Sequence, residues 1–546
     1  MTGSDETTGN DEIDKRLQEY EQLTLIIARH ADEDLRAALD TISSLILEFR
    51  QASIESPSSA PILVNMTSVL INIANDLHDE PALAYALEVL DELMSGTPAG
   101  KWITHAAYNR ANTRDDLVQL KAMRAYEAAD EAEAMSAYLK ARLQVRATLR
   151  LARRDFLASA EDPQSGHQTQ ARTNLGNMLS TSGRWLEAFE EYAEAVHLDS
   201  TNGNAAGNAA LSLYRAIQAG LGPTGHLAAV YAEYRAIAQA NRSRTVELAG
   251  EAAALRWDEL PEIPTRGHLA HANSDKPYAQ WVAQERLALT AVMHGLGSDN
   301  ARFDDASIES VISYRDKEGM PEVFAAANVL KGDYLAARRT VYQGLQMLEE
   351  GDQGRRLHPS DTGTYADTLD YAVYGESVSL VTLGARAALD VLDKIAVATN
   401  QYLDTGDDAG AVTYRKYWFE KGSKVAPWRG LHAKFLGEPD QVIGRLVALA
   451  ELADDLEEGG LYEDGQAVRN RSTHRLVRAK LFDAEGITNT ALTTLDVDVL
   501  GAASIQSLRV ARAAILYFHA LVGTRERAKA RKGEGVVLPL VVPDFE

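Results

Sequence analysis

Residues 171–200 read ARTNLGNMLSTSGRWLEAFEEYAEAVHLDS. Small residues (Gly176, Ala188, Ala195) stand at helical spacing beside the larger Leu175, Leu179 and Tyr192. That spacing places them on facing stripes of two helices. Gly176 and Ala188 allow close approach, and Leu179 and Tyr192 fill the space around it. Gly183 ends the first helix, because glycine takes the left-handed conformation there at little cost. The stretch therefore reads as a helical hairpin.

Outward from this hairpin, helix alternates with short breaks from about residue 15 to residue 350. Alanine and leucine recur at helical spacing and β-branched runs are scarce. Asn204 to Ile217 is a weaker unit. Phe324 and Ala325, then Gly332, Asp333 and Tyr334, then Ala337, repeat the same logic. Ile62 to Met94 and Lys101 to Asn112 read as divergent helical pairs. The hairpin resembles a tetratricopeptide (TPR) repeat, and TPR-like stacking of the rest is the expectation. The alternative is a generic helical bundle with accidental matches.

Two segments read as connections. Trp257 to Pro277 contains Pro261, Pro264 and Gly267, and Gly351 to Gly363 contains Gly354 and Pro359. The expected layout is a disordered acidic tail at 1–14, divergent helical pairs at 15–160 and TPR-like repeats at 161–256. A connection at 257–277, further helical repeats at 278–360, a helical domain at 364–535 and a tail at 536–546 complete it. The fold class expected is all-α. Long helices are expected near 376–403, 440–457, 464–482 and 504–522, and no sheet of three or more strands.

The chain has 546 residues, no cysteine and a net charge of −24. Without cysteine there is no disulfide framework, thiolate nucleophile or thiolate metal site. Met1 to Glu12 lacks a basic segment and an apolar segment, so no signal peptide is expected. Apolar runs are interrupted short of a membrane span. A cytoplasmic protein with no membrane partner is the expectation. An acidic chain repels nucleic acid unless positive charge is concentrated locally. Three runs concentrate it: Arg415, Lys416, Lys421, Lys424, Arg429 and Lys434; then Arg469, Arg471, Arg475, Arg478 and Lys480; then Arg525, Arg527, Lys529, Arg531 and Lys532. Each is either a solvated helix face or part of an anion-binding surface, and their crowding into one third of the chain favours the surface.

Common enzyme signatures are absent: no phosphate-binding glycine loop, no GxGxxG, no HExxH and no GxSxG. The histidines show no metal-ligand spacing, so no metal or cofactor is expected. One constellation remains, Arg469, Asn470, Arg471, Ser472, Thr473 and His474. Arg266 to His271 and Arg512 to His519 offer comparable pairs, but the first lies in a connection and the second in an apolar helix that reads as core. Helical steps through Ala467, Asn470, His474, Val477 and Leu481 put Asn470 and His474 on an apolar face, with Arg469 beside it. On its own this is equally a buried Asn–His pair bonded to backbone.

The region from about Tyr278 to Ala530 resembles the TPR-fused prokaryotic branch of the HEPN superfamily. Ala385 to Ile395, running on to Asn400–Leu403, resembles its first long helix. Val412 to Trp418 and Pro427 to Leu431 resemble its basic, aromatic connecting segment, and Leu508 to Tyr517 its last core helix. Tyr278 to Trp281 and Asp304-Asp305 also fit, and Arg469-Asn470 through His474 matches its Arg-polar-x3-His motif.

The resemblance implies a metal-independent endoribonuclease, of the regulated toxin or anti-phage kind, with RNA as substrate. His474 is then the general acid or base, Arg469 the phosphate ligand, and Asn470 the residue that orients them. Arg415, Lys416, Lys421, Lys424, Arg429, Lys434, Arg471 and Arg475 are the expected RNA contacts. It also implies a homodimer through the HEPN domain, and the TPR-like groove implies a protein or peptide partner. The alternative is a non-catalytic TPR/HEPN scaffold or nucleotide-binding dimerisation protein.

Overall fold

In the computed structural model, the described residues are 5–52, 56, 58–96, 102–131, 133–221, 224–265, 275–294, 304–313, 320–349, 372–421, 428–474, 476–480, 492–533 and 535–539. The chain forms two compact units, one of residues 1–178 with 197–199, the other of 179–196 with 200–546.

The first unit is helical: α1 (Asp5–His30), α2 (Leu35–Ala52), α3 (Ser59–Asp76), α4 (Glu80–Gly96), α5 (Ile103–Glu127), α6 (Ala134–Gln144), α7 (Arg146–Glu161) and most of α8 (Gln168–Thr181). α1 begins at Asp5, so most of the expected disordered tail is helix. Leu17, Ile42, Phe49, Leu70, Leu83 and Leu90 anchor the core of α1–α4. Asp155 on α7 is shared by Arg110 and Arg114 of α5, with Arg110 Nη2 at 2.6 Å.

The second unit begins in the turn after α8. Gly183 has φ +78°, with Gly183 N–H donating to Ser180 and Arg184 N–H to the Leu179 carbonyl at 2.9 Å. That is the glycine helix stop expected from sequence. α9 (Trp185–Leu198), α10 (Gly203–Gln218), α11 (Thr224–Ala240), α12 (Arg242–Asp258) and α13 (Pro277–Gln284) follow. Trp257, expected to open a connection, is a buried residue of α12.

β1 (Ser310–Ser313) leads to α14 (Glu322–Glu349), which continues through Gly332 without the expected break. Then come β2 (Ala372–Val373), α15 (Glu376–Leu403), α16 (Tyr414–Tyr417), β3 (Phe419–Lys421), β4 (Trp428–Leu431), α17 (Asp440–Asp454), α18 (Glu463–His474), β5 (Leu476–Lys480), β6 (Leu492–Asp496), α19 (Val497–Arg531) and β7 (Val536–Pro539). α14 and α15 pack backbone to backbone. A Cβ at Gly344 would lie 2.7 Å from Val381, and one at Gly384 would lie 2.6 Å from Val341. The blocks at Tyr278 and Asp304 meet on α14, where Arg338 donates to the Tyr278 hydroxyl at 2.9 Å and to Asp304 at 2.8 Å.

The fold is predominantly helical, as expected, with α15 and α17 beginning where expected. Three details differ. The helix expected at 464–482 stops at His474, and β5 pairs parallel with β6 and antiparallel with β2, making a three-stranded sheet. Val477 opposite Thr493 and Arg478 opposite Thr494 use the β-branched residues a strand prefers. Part of the expected C-terminal tail is β7, antiparallel to β1. Segments expected as separate domains on either side of residue 364 share one compact unit.

α19 is long and apolar enough to cross a membrane by length and composition, but 72% of its apolar window is buried in the fold. It is the core helix of this unit, where Leu508, Ala511, Ile515 and Phe518 are inaccessible.

Candidate nuclease site

α18 positions the Arg469 constellation. Its inward face is set by Gly465 and Val468, with Val468 in a cluster that includes Val373, Val381, Ala479 and Leu500. The expected helical stripe through Ala467, Asn470, His474, Val477 and Leu481 does not run its full length on α18, which ends at His474. Val477 is on β5, and Leu481 lies outside the described residues.

Arg469 is 25% exposed and faces α15. Its Nη2 donates to Asp390 and to Asp393, each at 2.9 Å. The two acids sit three residues apart on one face of α15. Asp393 also accepts from the backbone N–H of Tyr414 at 2.8 Å. Among the described residues, this guanidinium thus faces two carboxylates. Asp390 and Asp393 lie in the helix that resembles the family's first long helix, and the sequence reading assigned them no role. Asn470, Arg471 and His474 fall on α18, but their side chains lie outside the described residues, as does all of Arg475.

The expected RNA contacts divide. Arg415 donates to Glu457 at 2.8 Å, and Lys434 pairs with Asp407 and lies over the Tyr417 ring. Lys416 and Lys421 are exposed. Lys424 and the side chain of Arg429 lie outside the described residues. The aromatic residues between them form a packed cluster: Tyr414, Tyr417, Trp418, Phe419 and Phe435 are buried. In the other basic runs, Lys480 is buried and Arg478 donates to Thr494 at 2.9 Å. Arg525 is paired with Glu438 and Lys529 with Glu526. Much of the local positive charge is therefore neutralised within the fold.

The competing pair is excluded by its bonds. Arg512 is buried and donates to the carbonyls of Ala288 at 2.7 Å and Thr290 at 2.8 Å. Arg266 and His271 lie outside the described residues.

Residues 314–525 match the family model described as LA2681-like HEPN. This part of the chain is an HEPN domain. The match takes in α14. It contains Arg469 through His474 together with Asp390 and Asp393. No curated protein matches the chain.

A second polar centre ties the HEPN domain to residues 179–196. Arg184 is inaccessible and pairs with Asp455, at the end of α17, and with Glu187 at 2.6 Å. Burial opposes its charge, but Glu187 and Asp455 more than offset this and raise its pKa. Glu187 accepts from Tyr517 at 2.9 Å and from Tyr462, just before α18, and Ser182 donates to Glu451.

Proposed function

We propose that this protein is a metal-independent endoribonuclease, a regulated toxin or anti-phage effector acting in the cytoplasm. The observation that carries the proposal is Arg469, held at the surface of α18 by Asp390 and Asp393 inside the HEPN match. In this reading His474 takes the proton from a ribose 2′-OH, the 2′-oxygen attacks the phosphorus, and the 5′-oxygen leaves with a proton. The products are a 2′,3′-cyclic phosphate and a 5′-hydroxyl. Imidazole titrates in the range this needs. Arg469 stabilises the extra charge on the phosphorane-like transition state with a planar fork of donors. Asn470 orients the pair, and exposed cations such as Lys416 and Lys421 hold the RNA backbone. Two HEPN domains form a homodimer that faces two copies of the motif, and the acidic TPR-like region takes a basic protein or peptide as trigger.

The deciding experiment compares wild type with His474→Ala on RNA in EDTA. Wild type cleaves and leaves cyclic phosphate ends; equal cleavage by the variant overturns the assignment.

A second reading, a non-catalytic TPR/HEPN scaffold, is favoured by the contacts of Arg469 to Asp390 and Asp393, which compete with phosphate. Intact RNA after incubation with wild type, with or without candidate partners, supports it.

A further inference from the structure

The end of α10, the segment leading into β1 and the last turns of α19 enclose a cavity of about 160 Å³. Gly220, Glu309, Ile312, His519, Glu526 and Arg527 line it. His519 is 6% exposed, and neither ring nitrogen has a hydrogen-bond partner among the described residues. Burial, and then Lys331, hold its pKa down at about 4, so near neutral pH the ring offers one donor and one acceptor. Leaving such a group unpaired in the interior costs free energy that a ligand recovers.

Arg527 donates from Nη2 to the Ala219 carbonyl and makes no ion pair among the described residues. Its guanidinium has a prepared seat. Gly220 has φ +70°, and a Cβ there would lie 2.6 Å from Nη1. A Cβ at Gly523 would come within 3.4 Å of Nη2. Glu526 does not neutralise it, because that carboxylate already accepts from Ile312 N–H and the Tyr402 hydroxyl, each at 2.6 Å, and from Lys529 at 2.7 Å.

We propose that this cavity binds a small anion, its carboxylate or phosphate group on Arg527 and a second polar group on His519. Glu309 in the wall favours a single charge over several. The site is separate from the Arg469 constellation and does not depend on the nuclease reading.

The test is isothermal titration of the full chain with lactate and, separately, with inorganic phosphate. One of the two is expected to bind saturably, at one site per chain, with Kd below about 1 mM. Arg527→Gln should weaken it at least about tenfold, as loss of a charge-assisted bond does. His519→Asn, which keeps one donor and one acceptor, should weaken it less. Circular dichroism matching wild type confirms that both variants fold, and an unfolded Arg527→Gln is replaced by Arg527→Lys, expected to bind more weakly than wild type. Lactate binding identifies a carboxylate site and phosphate binding a phosphate site. Failure of both, or equal binding by a folded Arg527 variant, overturns the proposal.

Discussion

Asp393 accepts from Arg469 at 2.9 Å, and the same carboxylate accepts from the backbone N–H of Tyr414 at 2.8 Å. It therefore fixes both the side chain of α18 and the start of α16. If Arg469 supplies transition-state charge, Arg469→Ala should slow cleavage by roughly 10²–10³ with folding intact. Arg469→Lys should not restore the rate, because an ammonium lacks the planar fork. Single-turnover cleavage of a labelled RNA measures both, and a lysine variant at wild-type speed would refute the fork.

His474→Ala should remove the proton carrier and cost about 10²–10⁴ in rate. A substrate with 2′-deoxyribose at the cut position should survive, since it lacks the nucleophile. End-group analysis should find cyclic phosphate or 3′-phosphate termini. Cleavage of the deoxy substrate would contradict the chemistry.

Charge neutralisation within the fold ranks the expected RNA contacts. Lys421 is exposed, whereas Lys434 is paired with Asp407. Lys421→Ala should weaken RNA binding more at low salt than at high salt, lowering the slope of log affinity against log salt by about one unit. Lys434→Ala should change it less. Filter binding across a salt series separates the two, and a larger slope change for Lys434 would reverse the ranking.

The helical class, the glycine stop at Gly183 and the core character of α19 were legible because each depends on local spacing. The three-stranded sheet was not. β5 is short, and its partners β2 and β6 are set by long-range pairing that no local period records. Taking β5 for helix carried the expected α18 pattern past His474, where the chain turns into a strand. The motif at Arg469 was visible in the sequence, but its two carboxylates were not, because they arrive from a helix 76 and 79 residues away. Basic runs overstate an anion surface when their acidic partners are equally remote, as with Arg415 and Glu457.

Asp455→Ala should destabilise the second unit by about 1–3 kcal/mol, because it removes one of the two carboxylates on the inaccessible Arg184 and leaves only Glu187. Replacing both residues, Arg184→Met with Asp455→Leu, should cost less than the single change. Urea denaturation followed by tryptophan fluorescence checks the order of the three proteins. A single variant as stable as wild type would show that the pair contributes little.

In the first unit, burial, and then Asp115, push the Asp116 carboxyl up to about 7. A carboxyl with a raised folded pKa binds more protons folded than unfolded between about pH 4 and 7, so stability falls as pH rises through that window. The slope from this group is at most about 1.4 kcal/mol per pH unit. Asp116→Asn should flatten the profile between pH 4 and 7 and stabilise the unit most at its upper end. An unchanged profile would show that the carboxyl titrates normally.

The buried pairing of Arg184 with Asp455 bears on where the chain can be cut. Excision at residue 314, where the family match begins, removes Arg184 and Ser182 and abandons Asp455 and Glu451 in an apolar interior. The HEPN portion is therefore not a cassette that can be lifted cleanly onto another chain at residue 314, because residues 179–196 supply partners to its buried acids.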